Sequence, residues 1–298
     1  MKIQSYGCVF NINGKRLEHH LCSEFKHEHS TFWGFGVGLG DQAVIVQAGN
    51  AFLDMPDPQL GDIVVSFGST KTALFPKMGD YNVWWAWGDR TDWINYYLDN
   101  VTVEPELCLC PSFEILKQIE ESGLNGVYCP VAAGKEFHPL NLKRKGLGYA
   151  GLDSKPFEQM NLILNPIKNR KDFTWQGQKS WVTLEELNVF YNQKQILFGM
   201  LNTFHPRLGC LPNRVFETLA TDTPLIFPKH SGFKELFNKE YPWQTESREE
   251  TVKLVNNILD DYEANSETAK LWGKLIRTEH TYKKRLETLF STLKELKK

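Results

Sequence analysis

The 298-residue chain lacks any apolar run approaching the ~18 residues of a membrane-spanning helix, so none is expected. Its start, Met-Lys-Ile-Gln-Ser-Tyr-Gly, has no long apolar core, so a signal peptide is not expected either. Charge of one sign is missing too. Lys and Arg number 34 against 36 Asp and Glu, a formal net charge of −2. No global basic field argues for nucleic acid, and any such contact must be a local patch. Internal repeats and low-complexity tracts are absent. Cysteine is sparse and scattered: Cys8, Cys22, Cys108, Cys110, Cys129 and Cys210 fit reduced, buried thiols and a cytoplasmic setting. A dinucleotide fingerprint is also lacking. The run Phe32–Gly40 alternates glycine with bulky residues, but no strand, Gly-rich turn and helix surround it. It reads as a twisted strand pair or as an aromatic loop against an acceptor.

What is present is an alternation of strands and helices. Residues 1–10 read as a strand, Asn11-Ile12-Asn13-Gly14 as a turn and 15–27 as a helix. The loop after a first strand is where α/β sheets take ligands, which makes Gly14 a candidate site residue. Gln42–Gln47, Ile63–Phe67, Asn82–Trp87, Leu107–Cys110 and Val127–Val131 read as further strands. Ser112 caps a helix over 113–122, which Gly123 ends. This order implies a parallel sheet with right-handed crossovers. Asp89 and Asp92 follow a strand end. Asp89 is the candidate catalytic base, and Asp92 is also well placed as a helix N-cap. His19, His20, Cys22, His27 and His29 crowd together without forming a recognised set of four ligands, so no metal is expected.

The second half opens on a strand between glycines, Gly146 to Gly151, where a ligand can approach the backbone. Lys168 and Arg170 sit in a basic cluster that reads either as diphosphate contacts or as a solvated loop. Thr183-Leu184-Glu185-Glu186 fits a capping box at the start of a helix running to about Asn192. A strand over 195–201 leads into the loop carrying His205 and Gly209, just ahead of the stretch 209–226. There Val215, Phe216, Leu219 and Ala220 share one helical face, while Asn213, Arg214, Glu217, Thr218 and Thr221 share the other. Thr223-Pro224 ends the helix. Helices follow at about 247–263 and 265–277, and a basic one at 279–298. A carboxylate such as Glu217 accepts from both hydroxyls of a ribose. A helix start with an arginine beside it, Arg214, suits a diphosphate. The alternative is a surface helix whose Glu and Arg are merely solvated.

The run Asn213-Arg214-Val215-Phe216-Glu217, with Ala220 and Pro224, resembles the nucleotide-sugar-binding segment of GT-B glycosyltransferases, in the spore-maturation-protein-like branch of group 1. The ending His280-Thr281-Tyr282…Arg285 resembles the same branch. The resemblance implies an α/β protein of two Rossmann-like domains facing a cleft. The expected divisions are an acceptor-side domain over 1–137, a donor domain over 138–278, and a terminal helix, 279–298, crossing back to the first domain. It implies transfer of a sugar from a nucleoside diphosphate sugar to a hydroxyl acceptor. The donor would be bound by Gly14, Lys168, Arg170, His205, Gly209, Asn213, Arg214 and Glu217, with Asp89 and Arg214 as the catalytic residues and with neither metal nor cofactor. The acceptor stays open between a glycan and a hydroxymethylated base in viral DNA, the latter placing the chain in a host cytoplasm. Two other classes remain: a nucleotide-sugar epimerase of the same fold, and a non-catalytic nucleotide- or glycan-binding protein.

Overall fold

Ten strands form two five-stranded sheets in the computed structural model, which describes residues 8–11, 47–67, 79–86, 103–151, 157–177, 182–201 and 208–298. Gly14, Asp89, Asp92, His205, the histidine cluster and Phe32–Gly40 lie outside the described residues. The fold class is α/β, as expected. The chain divides into two compact units, one formed by residues 1–131 with 282–298 and the other by 132–281.

In the first unit the sheet order is β1-β2-β3-β4-β5, with β1 Cys8–Asn11, β2 Ile63–Phe67, β3 Tyr81–Trp85, β4 Leu107–Cys110 and β5 Gly126–Tyr128. Strands β2 to β5 are parallel. Strand β1 is antiparallel to β2, pairing Cys8 with Phe67 and Asn11 with Val64, which corrects the all-parallel expectation. An antiparallel edge strand on an otherwise parallel sheet is common, because an edge needs only one matching neighbour. A second correction concerns Gln47. It lies in a helix, α1, described over 47–53, and not at the end of a strand; the rest of the expected strand, 42–46, lies outside the described residues. Gln47, Ala48 and Ala51 are buried, a helical spacing in place of an alternating one.

Strands that advance in one direction with right-handed crossovers place their connections on one face. Helix α2, Phe113–Glu121, lies on the face of Cys110: a side chain at Gly126 would meet its Leu116 and Ile119 together with Cys110. Ser112 caps it by accepting from the Ile115 N–H at 3.2 Å. The opposite face, bearing Val65, Trp85 and Leu109, needs a separate cover. The chain end supplies it, with Tyr282, Leu286 and Leu289 meeting those residues and Ala48 around a small apolar cavity. Within this unit Arg285 donates from Nε to the Pro130 carbonyl at 2.8 Å, and Trp85 donates to the Cys129 carbonyl at 3.0 Å.

In the second unit all strands are parallel, in the order β10-β9-β8-β6-β7. They are β6 Leu147–Ala150, β7 Phe173–Gln176, β8 Ile196–Phe198, β9 Leu225–Pro228 and β10 Gln244–Thr245. Strands β7 and β10 were not expected. Helix α3, Leu184–Gln193, starts on the expected capping box of Thr183 and Glu186. It is followed by α4 Asn213–Ala220, α5 Gly232–Phe237, α6 Arg248–Asp260 and α7 Tyr262–Glu279. The final helix, α8 Tyr282–Leu296, belongs to the first unit. The order of the second sheet reverses between β6 and β8. In parallel α/β sheets the crevice beyond the carboxyl ends of such a strand pair is where ligands bind.

Candidate functional site

Helix α4 begins beyond the carboxyl end of β8, and its start is built on Pro212, the N-cap, in extended geometry (φ −71°, ψ 154°). Pro212 offers no capping side chain to the first-turn N–H groups, although Val215 N donates to the Pro212 carbonyl at 3.0 Å. Such an end carries partial positive charge and open donors, the usual seat of an anion. Asn213, the first helical residue, donates from Nδ2 to Glu217 Oε1 at 2.8 Å.

The polar face of α4 is not a solvated one. Glu217 is 2% exposed, and Thr218 and Thr221 are fully buried. A buried carboxylate must be compensated, and the Asn213 amide and the neighbouring Arg214 do so. Arg214 lies over the ring of Tyr149, with its Cζ 5.6 Å from the centroid. Burial pulls the Arg214 pKa down, but the adjacent Tyr191, Tyr149 and Glu217 more than offset it, so the guanidinium is held charged. At neutral pH both phenols are protonated, which makes Glu217 the formal countercharge among these three. Tyr149 and Tyr191 are in turn pushed up by burial against the opposing pull of Arg214.

Gly151, just past β6, allows this arrangement. Its φ is +148°, and a Cβ there would lie 2.7 Å from the Tyr149 hydroxyl and 2.8 Å from Arg214 Nη1. Its carbonyl is fixed by the Trp175 indole N–H at 2.7 Å, and Trp175 packs edge-on against Tyr149. Tyr191, on α3, stacks with Phe137 at 5.8 Å. Four polar atoms here, Tyr149 OH, Tyr191 OH, Arg214 Nε and Thr218 Oγ1, are buried without a well-formed hydrogen bond among the described residues, although both phenols lie close to the Arg214 guanidinium. Native interiors leave few such atoms, and a cluster of them marks a place where something else completes the bonding.

The expected residues separate into two groups. Asn213, Arg214 and Glu217 come together on α4. Gly209 joins them from the preceding loop, in left-handed geometry (φ +68°), with its carbonyl 2.8 Å from where a Cβ on Gly232 would sit. The other group stands apart. Arg170 is engaged by Asp172, Nε to Oδ1 at 2.9 Å and Nη2 to Oδ2 at 3.0 Å, and Lys168 is exposed. Both precede β7, and the Asp172 carbonyl accepts from the Leu147 N–H. They therefore sit at the amino end of the sheet, opposite the Gly151 end. Tyr149 and Tyr191 escaped sequence reasoning, because buried aromatics in strands and helices read as packing. Among the described residues no group of three or more His, Cys, Asp or Glu side chains could hold a metal, and no helix is long and apolar enough to cross a membrane.

A parallel α/β unit with a reversed strand pair places the start of α4 and the Glu217–Arg214 pair beyond the carboxyl ends of its strands. Residues 158–291 match the model of the glycosyl transferase-like family. A solved structure that resembles the chain is sucrose-phosphate synthase from Thermosynechococcus elongatus, with a TM-score of 0.45 and 11% identity. The likeness covers 65% of this chain and 59% of that one, so the chain spans about three fifths of its length. No curated protein matches the chain.

Proposed function

We propose that the chain transfers a sugar from a nucleoside diphosphate sugar to a hydroxyl acceptor, and that the second unit holds the donor. The observation that carries this reading is the buried polar face of α4, where Glu217 and Arg214 lie beside an uncapped helix start at the reversal of the strand order. Glu217 accepts from the ribose hydroxyls. Arg214 and the first-turn N–H groups neutralise the diphosphate, where negative charge grows as the sugar–phosphate bond breaks, so their effect is largest in the transition state. Asn213 orients Glu217, and Gly209 keeps the approach to the helix start narrow. His205 and Gly14 complete the proposed donor contacts and Asp89 is the proposed base that takes the acceptor proton, while Lys168 and Arg170, at the opposite end of the sheet, drop out of the donor set. The reaction needs no cofactor in this scheme. The acceptor is a glycan or a hydroxymethylated base in DNA, distinguished by a mass increase of one sugar on one of the two.

Thermal stabilisation by UDP, GDP and ADP and by their sugars tests the donor site. One nucleotide series raises the melting temperature of the wild type, and Glu217→Gln, which keeps shape and removes charge, loses most of that rise. Full stabilisation of Glu217→Gln, or no stabilisation of the wild type, overturns the reading.

A further inference from the structure

We infer that Tyr149 and Tyr191 are positioning residues for Arg214: their buried hydroxyls hold the guanidinium so that its accessible edge meets the anionic group of the ligand. This rests on the donor-site reading above, in which that group is a diphosphate. Both tyrosines are fully buried, whereas Arg214 keeps partial exposure although its Nε is sunk inside. The phenols therefore act on a ligand through Arg214. Tyr149 OH and Arg214 Nη1 both lie within 2.8 Å of the single point that a Cβ on Gly151 would occupy, so they are neighbours on one spot of backbone. Tyr191 approaches the same guanidinium from α3, the Glu217 carboxylate lies beside it on α4, and all three influence its charge.

Tyr149 OH, Tyr191 OH and Arg214 Nε are buried without a well-formed hydrogen bond among the described residues, although both phenols lie close enough to the guanidinium to bond it. A phenol kept protonated by burial can accept from a guanidinium while it donates elsewhere. Leaving such groups unpaired is costly, so the arrangement gains most when an anion draws the guanidinium into its final orientation. The rings themselves are held independently, Tyr149 by Trp175 and Tyr191 by Phe137. Removing a hydroxyl therefore leaves the packing intact.

The test is calorimetric titration of UDP, GDP and ADP, each beside its own nucleoside, against the wild type, Tyr149→Phe and Tyr191→Phe, in both the native and an Arg214→Lys background. Each Phe variant weakens the diphosphate that the wild type binds by about five- to tenfold, leaves its nucleoside unchanged, and melts within about 2 °C of the wild type. In the Arg214→Lys background neither Phe change has a further effect, the coupling expected when one residue acts through another. Unchanged diphosphate affinity in the Phe variants overturns the inference and leaves the donor site standing. Equal losses for nucleoside and diphosphate overturn it as well, because they report a general structural role. If the wild type binds none of the diphosphates, the donor-site reading falls and takes this inference with it.

Discussion

The two ends of helix α4 carry similar residue types and opposite bonding. At the carboxyl end two arginines are engaged. Arg144 donates from Nη1 to the Tyr191 carbonyl (3.4 Å), the Lys194 carbonyl (3.3 Å) and Thr223 Oγ1. Its Nη2 donates to Asn192 Oδ1 (3.3 Å) and the Thr221 carbonyl (2.6 Å). Arg277 adds bonds to the Ala220 carbonyl (2.6 Å) and Asp222 Oδ1 (2.7 Å). At the amino end the helix has no side-chain cap, and Arg214 Nε and Thr218 Oγ1 are unpaired among the described residues. One end is closed by the protein itself, and the other is the end that the proposed function leaves for a ligand to close. Two half-buried arginines in one unit thus differ in the satisfaction of their donors, not in their charge or depth.

The same substitution at both ends sharpens this contrast. Arg144→Lys exchanges five donors in a planar fork for three on a point charge, so several buried acceptors lose their partner. Urea unfolding of this variant shows a loss of about 3 kcal/mol. A loss below about 1 kcal/mol would mean that the carboxyl end is not held as described. Gly273→Ala attacks the same end from α7. Its new Cβ would run directly into Asp222 Oδ1 and lie 2.6 Å from the Leu219 carbonyl, so overpacking by about 2 kcal/mol is expected. Arg214→Lys, at the other end, keeps the charge beside Glu217 and loses the fork. Stability stays within about 1 kcal/mol of the wild type, while affinity for the nucleoside diphosphate falls about tenfold. If Arg214→Lys were the destabilising variant and Arg144→Lys the binding-deficient one, the assignment of the two ends would be reversed.

Much of this was legible in the residue order, and what was not has a physical cause. The α/β class and the helix over 213–220 follow from periodicity, and the Ser112 cap and the Thr183–Glu186 box from turn chemistry. The polar face of that helix reads as solvated by composition alone, because nothing local shows that Tyr149 from β6 and Tyr191 from α3 will cover it. Arg144 sits inside Lys143-Arg144-Lys145, a run that resembles a surface cluster, yet it is the most fully engaged cation of the second unit among the described residues. Arg170 shows the converse. Its neighbour two residues on, Asp172, takes both ends of the guanidinium, so a basic cluster that suggests phosphate is a local ion pair. Strand β7 was missed because Phe173-Thr174-Trp175-Gln176 is short and only partly buried.

The smallest expected effect discriminates between two accounts of the closed end. Asp222 follows α4 in left-handed geometry (φ +58°), which Asn tolerates as well as Asp. Burial raises its pKa, and the bonded Arg277, with Arg144 and Lys270 further off, opposes that rise without cancelling it. A carboxyl whose pKa is raised by folding binds its proton more tightly when folded. Its contribution to stability is therefore fully present below the unfolded value and is lost as pH climbs through the folded one. Folding therefore disfavours the charged form relative to the unfolded chain, in spite of the ion pair. Asp222→Asn, which mimics the protonated state and leaves the Arg277 bond to the Ala220 carbonyl in place, is expected to equal or slightly exceed the wild type at pH 7, within about 1 kcal/mol. Below the unfolded carboxyl pKa the difference should vanish. A clear loss at pH 7 that disappears in acid would show that the ion pair, rather than the arginine-to-carbonyl bonds, holds this end of the helix.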